Sequence, residues 1–191
     1  MTAIELKEAA LYFLRFERGL THICTEFGQY SADVAGASDT RFVEIETKIS
    51  LSDLRNDFKK RKHQIYLLSD MVHGHRESDF PNYFYFMVPK ELTDEAIKLC
   101  EEKNKSYGVI TYAAESEYWV NRFKVSRRGK KIHTRKPSEK VLSRMASRMA
   151  NEIVTAHMLK HRVYEMRTHL VSELKNRFDN PCKDEIFEEE V

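Results

Sequence analysis

The chain has 191 residues, of which 41% are hydrophobic and 32% charged, and its formal net charge at pH 7 is +2. This length and apolar content are those of one globular domain with an appendage. Its three cysteines, Cys24, Cys100 and Cys182, lack C-x-x-C spacing, which argues against a disulfide framework and a structural zinc site. The chain begins without the basic and apolar regions of a signal peptide, and no apolar run approaches membrane-spanning length. We therefore expect a soluble, cytoplasmic protein.

The first two thirds of the chain predict alternating helices and strands. Thr2 and Glu5 have capping-box spacing before a run of helical periodicity, so a first helix is predicted to end near Gly19. Strands are predicted at 21–27, 30–36 and 42–48, followed by a helix from Ser50 or Ser52 to about Leu68. A strand at 83–88, a helix over 93–103 and a strand at 109–112 complete the set. The resulting order, α-β-β-β-α-β-α-β, is that of an α/β fold.

The last third of the chain changes character. Residues 121–136 form a basic segment, residues 137–180 a helical extension that begins with the N-cap Ser138, and residues 181–191 an acidic tail. Apolar residues recur in the extension at steps of three and four, from Leu142 to Phe178, as one long helix or two joined near His161. We favour a stripe that packs on the domain's own sheet. The alternative is a dimerisation arm, which would make the protein a homodimer through its C-terminal helices.

Two neighbouring strands carry the residues of greatest chemical interest. Because side chains alternate along a strand, Glu44, Glu46 and Lys48 share one face. A turn centred on Asp39 and Thr40 would place Asp33 opposite Glu46 in an antiparallel hairpin. Two carboxylates beside one lysine suit a hard divalent cation that acts on a phosphate, although a surface hairpin of alternating charges has the same spacing.

The residues around this hairpin resemble a known family. Ala32-Asp33-Val34, then Val43 to Lys48, then a helix with Ser50, Asp53, Asp57 and Lys59 follow the pattern of the PD-(D/E)XK nuclease superfamily, most closely its MmcB-like DNA repair branch. The resemblance implies a nuclease core over residues 1–120 with a restriction-endonuclease-like fold, in which helices flank a mixed central sheet. Ala32 departs from the proline of the superfamily's name, at a position where many members vary.

The resemblance also implies a catalytic site. Asp33, Glu46 and Lys48 would be catalytic, and Mg²⁺ or Mn²⁺ would bind Asp33, Glu46 and the backbone carbonyl of Thr47. Glu44 is a candidate for a further ligand because it shares the face of Glu46. Glu8 is the other candidate, since a first-helix glutamate often joins the metal shell of the superfamily, and Glu5, Glu17 and Glu26 compete with it for that role.

Basic residues indicate DNA as the substrate, because lysine and arginine side chains neutralise backbone phosphates. The candidate DNA-binding residues are Lys59, Lys60, Lys62, Arg127, Arg128, Lys130, Lys131, Arg135 and Lys136. Tyr83 and Tyr85 are candidates for base stacking, although tyrosines in strands are mostly part of the core. We expect a metal-dependent DNA endonuclease that acts in repair, recombination or phage-related DNA processing. The alternative is a catalytically inactive DNA-binding or interaction protein that retains the fold.

Overall fold

The computed structural model describes residues 1–28, 31–68, 80–116 and 118–179, and divides into two compact units, 1–149 and 150–191. The helices and strands of the described residues, in chain order, are α1 (Ala3–Tyr12), β1 (His22–Phe27), β2 (Ala32–Ala37), β3 (Phe42–Thr47), α2 (Leu51–Asp57), α3 (Arg61–Leu68), β4 (Tyr83–Pro89), α4 (Thr93–Lys103), β5 (Gly108–Tyr112), β6 (Phe123–Arg127) and α5 (Glu139–Asp179). The acidic tail lies outside the described residues.

The first unit contains a mixed, six-stranded sheet with its strands in sequential order from β1 to β6. Strands β1, β2 and β3 pair antiparallel, β3, β4 and β5 pair parallel, and β6 returns antiparallel to β5. The parallel pairs are those whose connections contain helices, as the crossover between parallel strands requires. The predicted α/β class is confirmed, and the elements up to β5 follow the predicted order except that two helices stand between β3 and β4.

Helix α1 covers one face of the sheet. Thr2 and Glu5 form the predicted capping box, and the helix continues into a π-helical segment, Phe13–Glu17, before Gly19 at φ +65°. Leu6, Ala9, Ala10 and Leu14 are fully buried against apolar residues of the central strands, including Val34, Val43 and Ile45. The helical spacing of small and branched residues therefore produces one closely packed layer.

Helices α2, α3 and α4 cover the opposite face. The single helix predicted over 50–68 is instead two, α2 and α3, because backbone bonds from Lys59 to Asn56 and from Lys60 to Asp57 tighten the chain into a turn. After this turn Lys62, His63 and Tyr66 of α3 are all buried. The break in the helix thus sets which side chains of α3 meet the sheet.

Strand β6 lies within the basic segment and was not predicted. Phe123 and Val125 are partly buried against the α1 side of the sheet, and the Phe123 ring stacks on Tyr12 with centroids 5.8 Å apart. The alternation of apolar residues that is typical of a strand is hidden here, because Lys124 and Arg127 lie among them. The basic segment is therefore partly a structural strand.

Helix α5 is a single helix of 41 residues. In the first unit, Val141 and Met145 are buried with Phe27 and Phe42, as expected of a packing stripe. In the second unit, the large apolar side chains are exposed: Ile153, Val154, Met158, Leu159, Val163, Tyr164, Met166, Leu170, Val171 and Leu174. The favoured interpretation is confirmed for the first turns, and for the part of α5 in the second unit both interpretations stay predictions.

The described helices and cysteines have the following properties. None of the described helices combines the length and hydropathy needed to cross a membrane. Cys24 and Cys100 are both buried, and burial raises the pKa of the Cys100 thiol to about 12, which disfavours its thiolate form at neutral pH. Cys182 lies outside the described residues.

Candidate functional site

The hairpin of β2 and β3 has the register predicted from its turn. Val34 pairs with Ile45 and Ala37 with Phe42, which brings Asp33 opposite Glu46 at the next step. The Asp33 amide donates to Glu46 Oε1 at 3.4 Å. The local turn chemistry of Asp39 and Thr40 was therefore sufficient to align the two carboxylates.

Lys48 brings the predicted catalytic residues together. Its Nζ lies 2.7 Å from Glu46 Oε2 and 3.5 Å from Asp33 Oδ2. The same Asp33 oxygen accepts hydrogen bonds from the Thr47 amide at 2.9 Å and the Thr47 hydroxyl at 3.1 Å. Asp33, Glu46 and Lys48 thus form one cluster at the end of strand β3.

Glu44 and Glu46 have different partners, although they share a face of β3. Lys62 Nζ lies 2.8 Å from Glu44 Oε1 and also contacts Glu46 Oε1, and the Tyr66 hydroxyl donates to Glu44 Oε2 at 2.7 Å. Of these two glutamates, only Glu46 shares a lysine with Asp33, so Glu46 stays the first candidate for the metal-binding glutamate. Lys62 is fully buried in this position, so its prediction as a DNA contact is corrected.

A fourth carboxylate, Asp57 at the end of α2, joins the cluster. Its Oδ1 lies 3.1 Å from Lys48 Nζ and contacts Lys60, yet makes no hydrogen bond of good geometry. Its Oδ2 lies 2.8 Å from His63 Nε2, and His63 Nδ1 lies 2.7 Å from the Tyr107 hydroxyl. Because a carboxylate only accepts, Nε2 carries the proton and, in the neutral ring, Nδ1 accepts from Tyr107. The family pattern includes Asp57, but no sequence signal indicated His63 or Tyr107.

The first helix contributes a lysine rather than the expected glutamate. Lys7 Nζ lies 3.2 Å from Asp33 Oδ1 and also contacts Glu26, whereas Glu8 is exposed. Glu26 lies opposite Asp33 in the β1–β2 register and has a positive φ of 47°, a strained conformation for glutamate. Of the glutamates that compete for the first-helix role, Glu26 is the one that shares a cation with Asp33.

The ion pairs shift the pKa values of the cluster in a consistent way. Burial opposes ionisation of Asp33, but the charge of Lys48 and the Thr47 amide bond lower its pKa. For Asp57, burial is likewise outweighed by the His63 hydrogen bond and the charge of Lys48, and the pKa falls well below its usual range. Burial raises the pKa of Glu46, and the surrounding carboxylates raise that of Lys48 against the effect of its own burial. The raised pKa favours the ammonium form of Lys48 at neutral pH.

The cluster faces an open cleft of about 430 Å³. Asp33, Thr47, Lys48, Asp57 and Lys60 line it, and Lys7 and Asp53 lie at its edges. Lys60 is half exposed and also contacts Glu46 at 3.4 Å. Ligands can therefore reach these side chains from solvent.

Carboxylate oxygens are the ligands that Mg²⁺ prefers, and Asp33, Glu46 and Asp57 supply them around one lysine. In the part of the chain that the structure describes, however, no three carboxylate, histidine or cysteine side chains converge as ligands of a metal ion. Lysine ammonium groups instead pair with Asp33, Glu46 and Asp57. The residue types fit a hard cation, which would have to displace these ammonium groups.

The basic segment lies away from this cleft. Ile132 donates to the Asn82 carbonyl at 2.8 Å, and Asn82 immediately precedes β4. Lys48 instead bonds Met87, near the end of β4. Because β3 and β4 run parallel, the two regions lie at opposite ends of the sheet, and the step from Val43 to Thr47 alone spans about 13 Å.

The predicted DNA-binding residues therefore divide into two groups. Lys60 lines the cleft, and Lys59 is exposed on the turn beside it. At the other end of the sheet, Arg127 is half-buried and donates to the Lys105 carbonyl at 3.3 Å, and the remaining candidates are exposed: Arg128, Lys130, Lys131, Arg135 and Lys136. A single continuous basic surface around the catalytic cluster is not observed among the described residues.

No protein-family model, curated protein or solved structure matches this chain. The similarity to the PD-(D/E)XK pattern consequently stays a prediction that depends on the motif and on the geometry above.

We predict that the protein loses stability in acid through Asp33 and Asp57. Since the folded-state pKa of each lies below its ordinary value, each stabilises the fold above about pH 4, and this contribution disappears as the pH falls through the folded-state pKa. The contribution of Glu46 to the pH dependence of stability has the opposite sign, because its raised pKa favours the folded protein at low pH. In urea unfolding between about pH 5 and pH 2, Asp57→Asn should flatten the decline in unfolding free energy. Asp39→Asn, at an exposed turn, is the control; an equal slope in both variants would contradict the assignment.

We also predict that Lys62→Met destabilises the protein by about 3–5 kcal/mol, because Glu44 and Glu46 would stay buried without their cation. Chemical denaturation measures the change. Arg61→Met, at the exposed neighbouring position of α3, should cost less than about 1 kcal/mol. Adding Glu44→Gln to Lys62→Met should recover part of the loss; no recovery would show that packing rather than charge is responsible.

Proposed function

We propose that the protein is a Mg²⁺- or Mn²⁺-dependent DNA endonuclease with a restriction-endonuclease-like core, which acts in DNA repair, recombination or phage-related DNA processing in the cytoplasm. The observation that carries the proposal is the meeting of Asp33, Glu46 and Lys48 beside an open cleft. Asp33 comes from β2, and Glu46 and Lys48 come from the end of β3.

Asp33 and Glu46 would hold the metal ion, with the Thr47 carbonyl and Asp57 as the nearest additional oxygens. When bound, the ion would polarise a phosphoryl oxygen and lower the pKa of a bound water. Asp57 lines the cleft, and its Oδ1 would exchange its contacts with Lys48 and Lys60 for the metal ion. The carboxylates of Glu44 and Glu8 are less suited, since the first is occupied by Lys62 and Tyr66 and the second is exposed.

The lysines of the cleft would act on the phosphate. Lys48 is held as a cation by its carboxylate neighbours, so its ammonium can donate to the phosphate as negative charge develops. Lys7 and Lys60 reach the cleft from α1 and from the turn after α2, and both are partly exposed. They would bind flanking phosphates of the DNA backbone, which position the strand without reading its sequence.

His63 would act as a positioning residue. It is buried, does not line the cleft, and donates to Asp57 while accepting from Tyr107. This chain of hydrogen bonds holds one oxygen of the Asp57 carboxylate, so that the other oxygen faces Lys48. The role of His63 is therefore to orient the cluster.

We predict metal-dependent cleavage that requires Asp33 and Lys48. Purified protein should cut at least one of supercoiled, linear, branched or single-stranded DNA in Mg²⁺ or Mn²⁺, and Asp33→Asn and Lys48→Met should each lower the rate about 100-fold or more. Product formation on gels measures the rate, and circular dichroism establishes that each variant is folded.

Asp39→Asn and Lys90→Met remove the same charges at exposed positions and should cut normally. Cleavage that persists in Asp33→Asn would indicate a contaminating nuclease. Binding of DNA without cleavage of any substrate would instead support the second candidate, an inactive DNA-binding or interaction protein. The observation in favour of that candidate is that lysine ammonium groups already neutralise the clustered carboxylates.

We further propose that the protein is a homodimer through α5. In the second unit Ala156, Val163 and Leu170 recur every seven residues, with Leu159 and Met166 three residues after the first two, which is coiled-coil spacing. The large members of this set are all more than half exposed. An exposed apolar stripe of this length is typical of an interface between helices.

Self-association should be lost when charge enters this stripe. Val163→Glu and Leu170→Glu should each convert the dimer to a monomer in analytical ultracentrifugation, because a buried unpaired carboxylate is strongly unfavourable. Met158→Glu is the matched control, since Met158 is equally exposed but lies on the other side of the helix. A wild-type monomer at high protein concentration would contradict the proposal.

A further inference from the structure

A second cleft, of about 560 Å³, lies on the face of the sheet that α1 covers. Its floor includes Phe13 and Val43, and its walls carry Tyr83 and Tyr85. Along β3 and β4 these residues alternate with Glu44 and Phe84, which are buried toward the opposite helices. The cleft therefore opens on the other side of the sheet from Lys48, and it is separate from the candidate catalytic site.

Three arginines surround this second cleft: Arg18, Arg41 and Arg128. They come from the end of the π-helical segment, the hairpin turn and the end of β6, so the fold gathers them from distant parts of the sequence. No lining residue is acidic, and in the described residues no carboxylate pairs with any of the three. The Arg18 guanidinium lies over the Phe13 ring at 4.7 Å, which holds its charge at the edge of the cleft.

Two glycines leave the space that the Tyr85 ring occupies. A Cβ atom on Gly108 would lie 2.2 Å from the Tyr85 ring, and a Cβ atom on Gly129 would lie 3.0 Å from it. Only glycine at Gly108 therefore permits this ring position, and Gly129 places the chain beside Arg128 against the same ring. Tyr83 and Tyr85 are both half-buried, which leaves part of each side chain accessible from the cleft.

Unpaired guanidinium groups and an accessible aromatic wall favour one class of ligand. Guanidinium groups bind phosphate through paired charge-assisted hydrogen bonds. Aromatic side chains stack on nucleobases of any sequence. A base inside a duplex is already stacked on its neighbours, so only a free or unpaired nucleotide can use both features.

We propose that this arginine and tyrosine cleft binds a nucleotide phosphate, with the phosphate at Arg18, Arg41 and Arg128 and the base against Tyr83 and Tyr85. The ligand is either a free mononucleotide or an unpaired nucleotide of a nucleic acid strand, since both present the same phosphate and base. The inference does not depend on the proposed nuclease activity, because no residue of the catalytic cluster lines this cleft.

Isothermal titration calorimetry of the full chain tests the proposal with four probes: dTMP, thymidine, inorganic phosphate and an eight-residue oligothymidylate. Metal is omitted so that no metal-dependent cleavage can occur. Binding of dTMP or of the oligonucleotide should be weakened about tenfold by Arg41→Gln and by Arg128→Gln. Arg162→Gln, an exposed arginine of α5, should leave the affinity unchanged. Tyr83→Leu should weaken the nucleotide probes but not inorganic phosphate.

The probes separate the two sources of the ligand. Saturable binding of dTMP would show that a free nucleotide is a sufficient ligand. Binding of the oligonucleotide but not of dTMP would show that the ligand is a nucleotide within a strand. Either result supports the proposal if the arginine variants weaken the binding. The proposal is overturned if neither probe binds at millimolar concentration, if the arginine variants bind as wild type, or if inorganic phosphate binds as tightly as dTMP. Failure of cleavage in the nuclease assay would leave these outcomes unaffected.

Discussion

The pairing of Lys62 with Glu44 and Glu46 is the interaction on which the rest of the structure depends. Two carboxylates on one face of a central strand are almost completely buried, which is strongly unfavourable unless a cation accompanies them. Lys62 supplies that cation from α3, and it also lies 5.4 Å from the centroid of the Phe84 ring. Helix α3 therefore has only one way to dock on the sheet without leaving a buried charge unpaired.

The position of α3 in turn determines the candidate catalytic cluster. His63 follows Lys62 in the same helix, and it holds Asp57 while its ring lies 5.3 Å from that of Phe84. Lys62 occupies one oxygen of Glu46, which leaves the other oxygen toward Lys48. Carboxylate orientation at the cleft is thus controlled from the core behind it rather than from the surface.

The parts of this site that follow from local rules could be predicted from the sequence. Strand alternation placed Glu44, Glu46 and Lys48 on one face, and the turn at Asp39 and Thr40 set the register of Asp33. Each of these rules acts over only a few residues. The positions of β1 to β5 and of most helices follow for the same reason.

The remaining features depend on contacts between distant parts of the chain. A lysine in a basic run is expected to be exposed, and no feature of the neighbouring sequence distinguishes the buried Lys62 from the exposed Lys59. Lys7 reaches Asp33 only because α1 crosses the sheet at that point. The basic segment lies at the far end of the sheet because β6 pairs with β5, a pairing that its charged sequence conceals.

The charge balance of the cluster also constrains how a metal ion and DNA could act together. Asp33, Glu44, Glu46 and Asp57 are matched by Lys7, Lys48, Lys60 and Lys62, so the cluster is close to neutral by itself. Of these lysines, only Lys7 and Lys60 are appreciably exposed and able to move from carboxylate to phosphate. A DNA phosphate that attracts them would free carboxylate oxygens for a cation, and a bound cation would release the lysines for phosphate. Because such coupling is reciprocal, the proposed activity requires metal and DNA each to strengthen binding of the other.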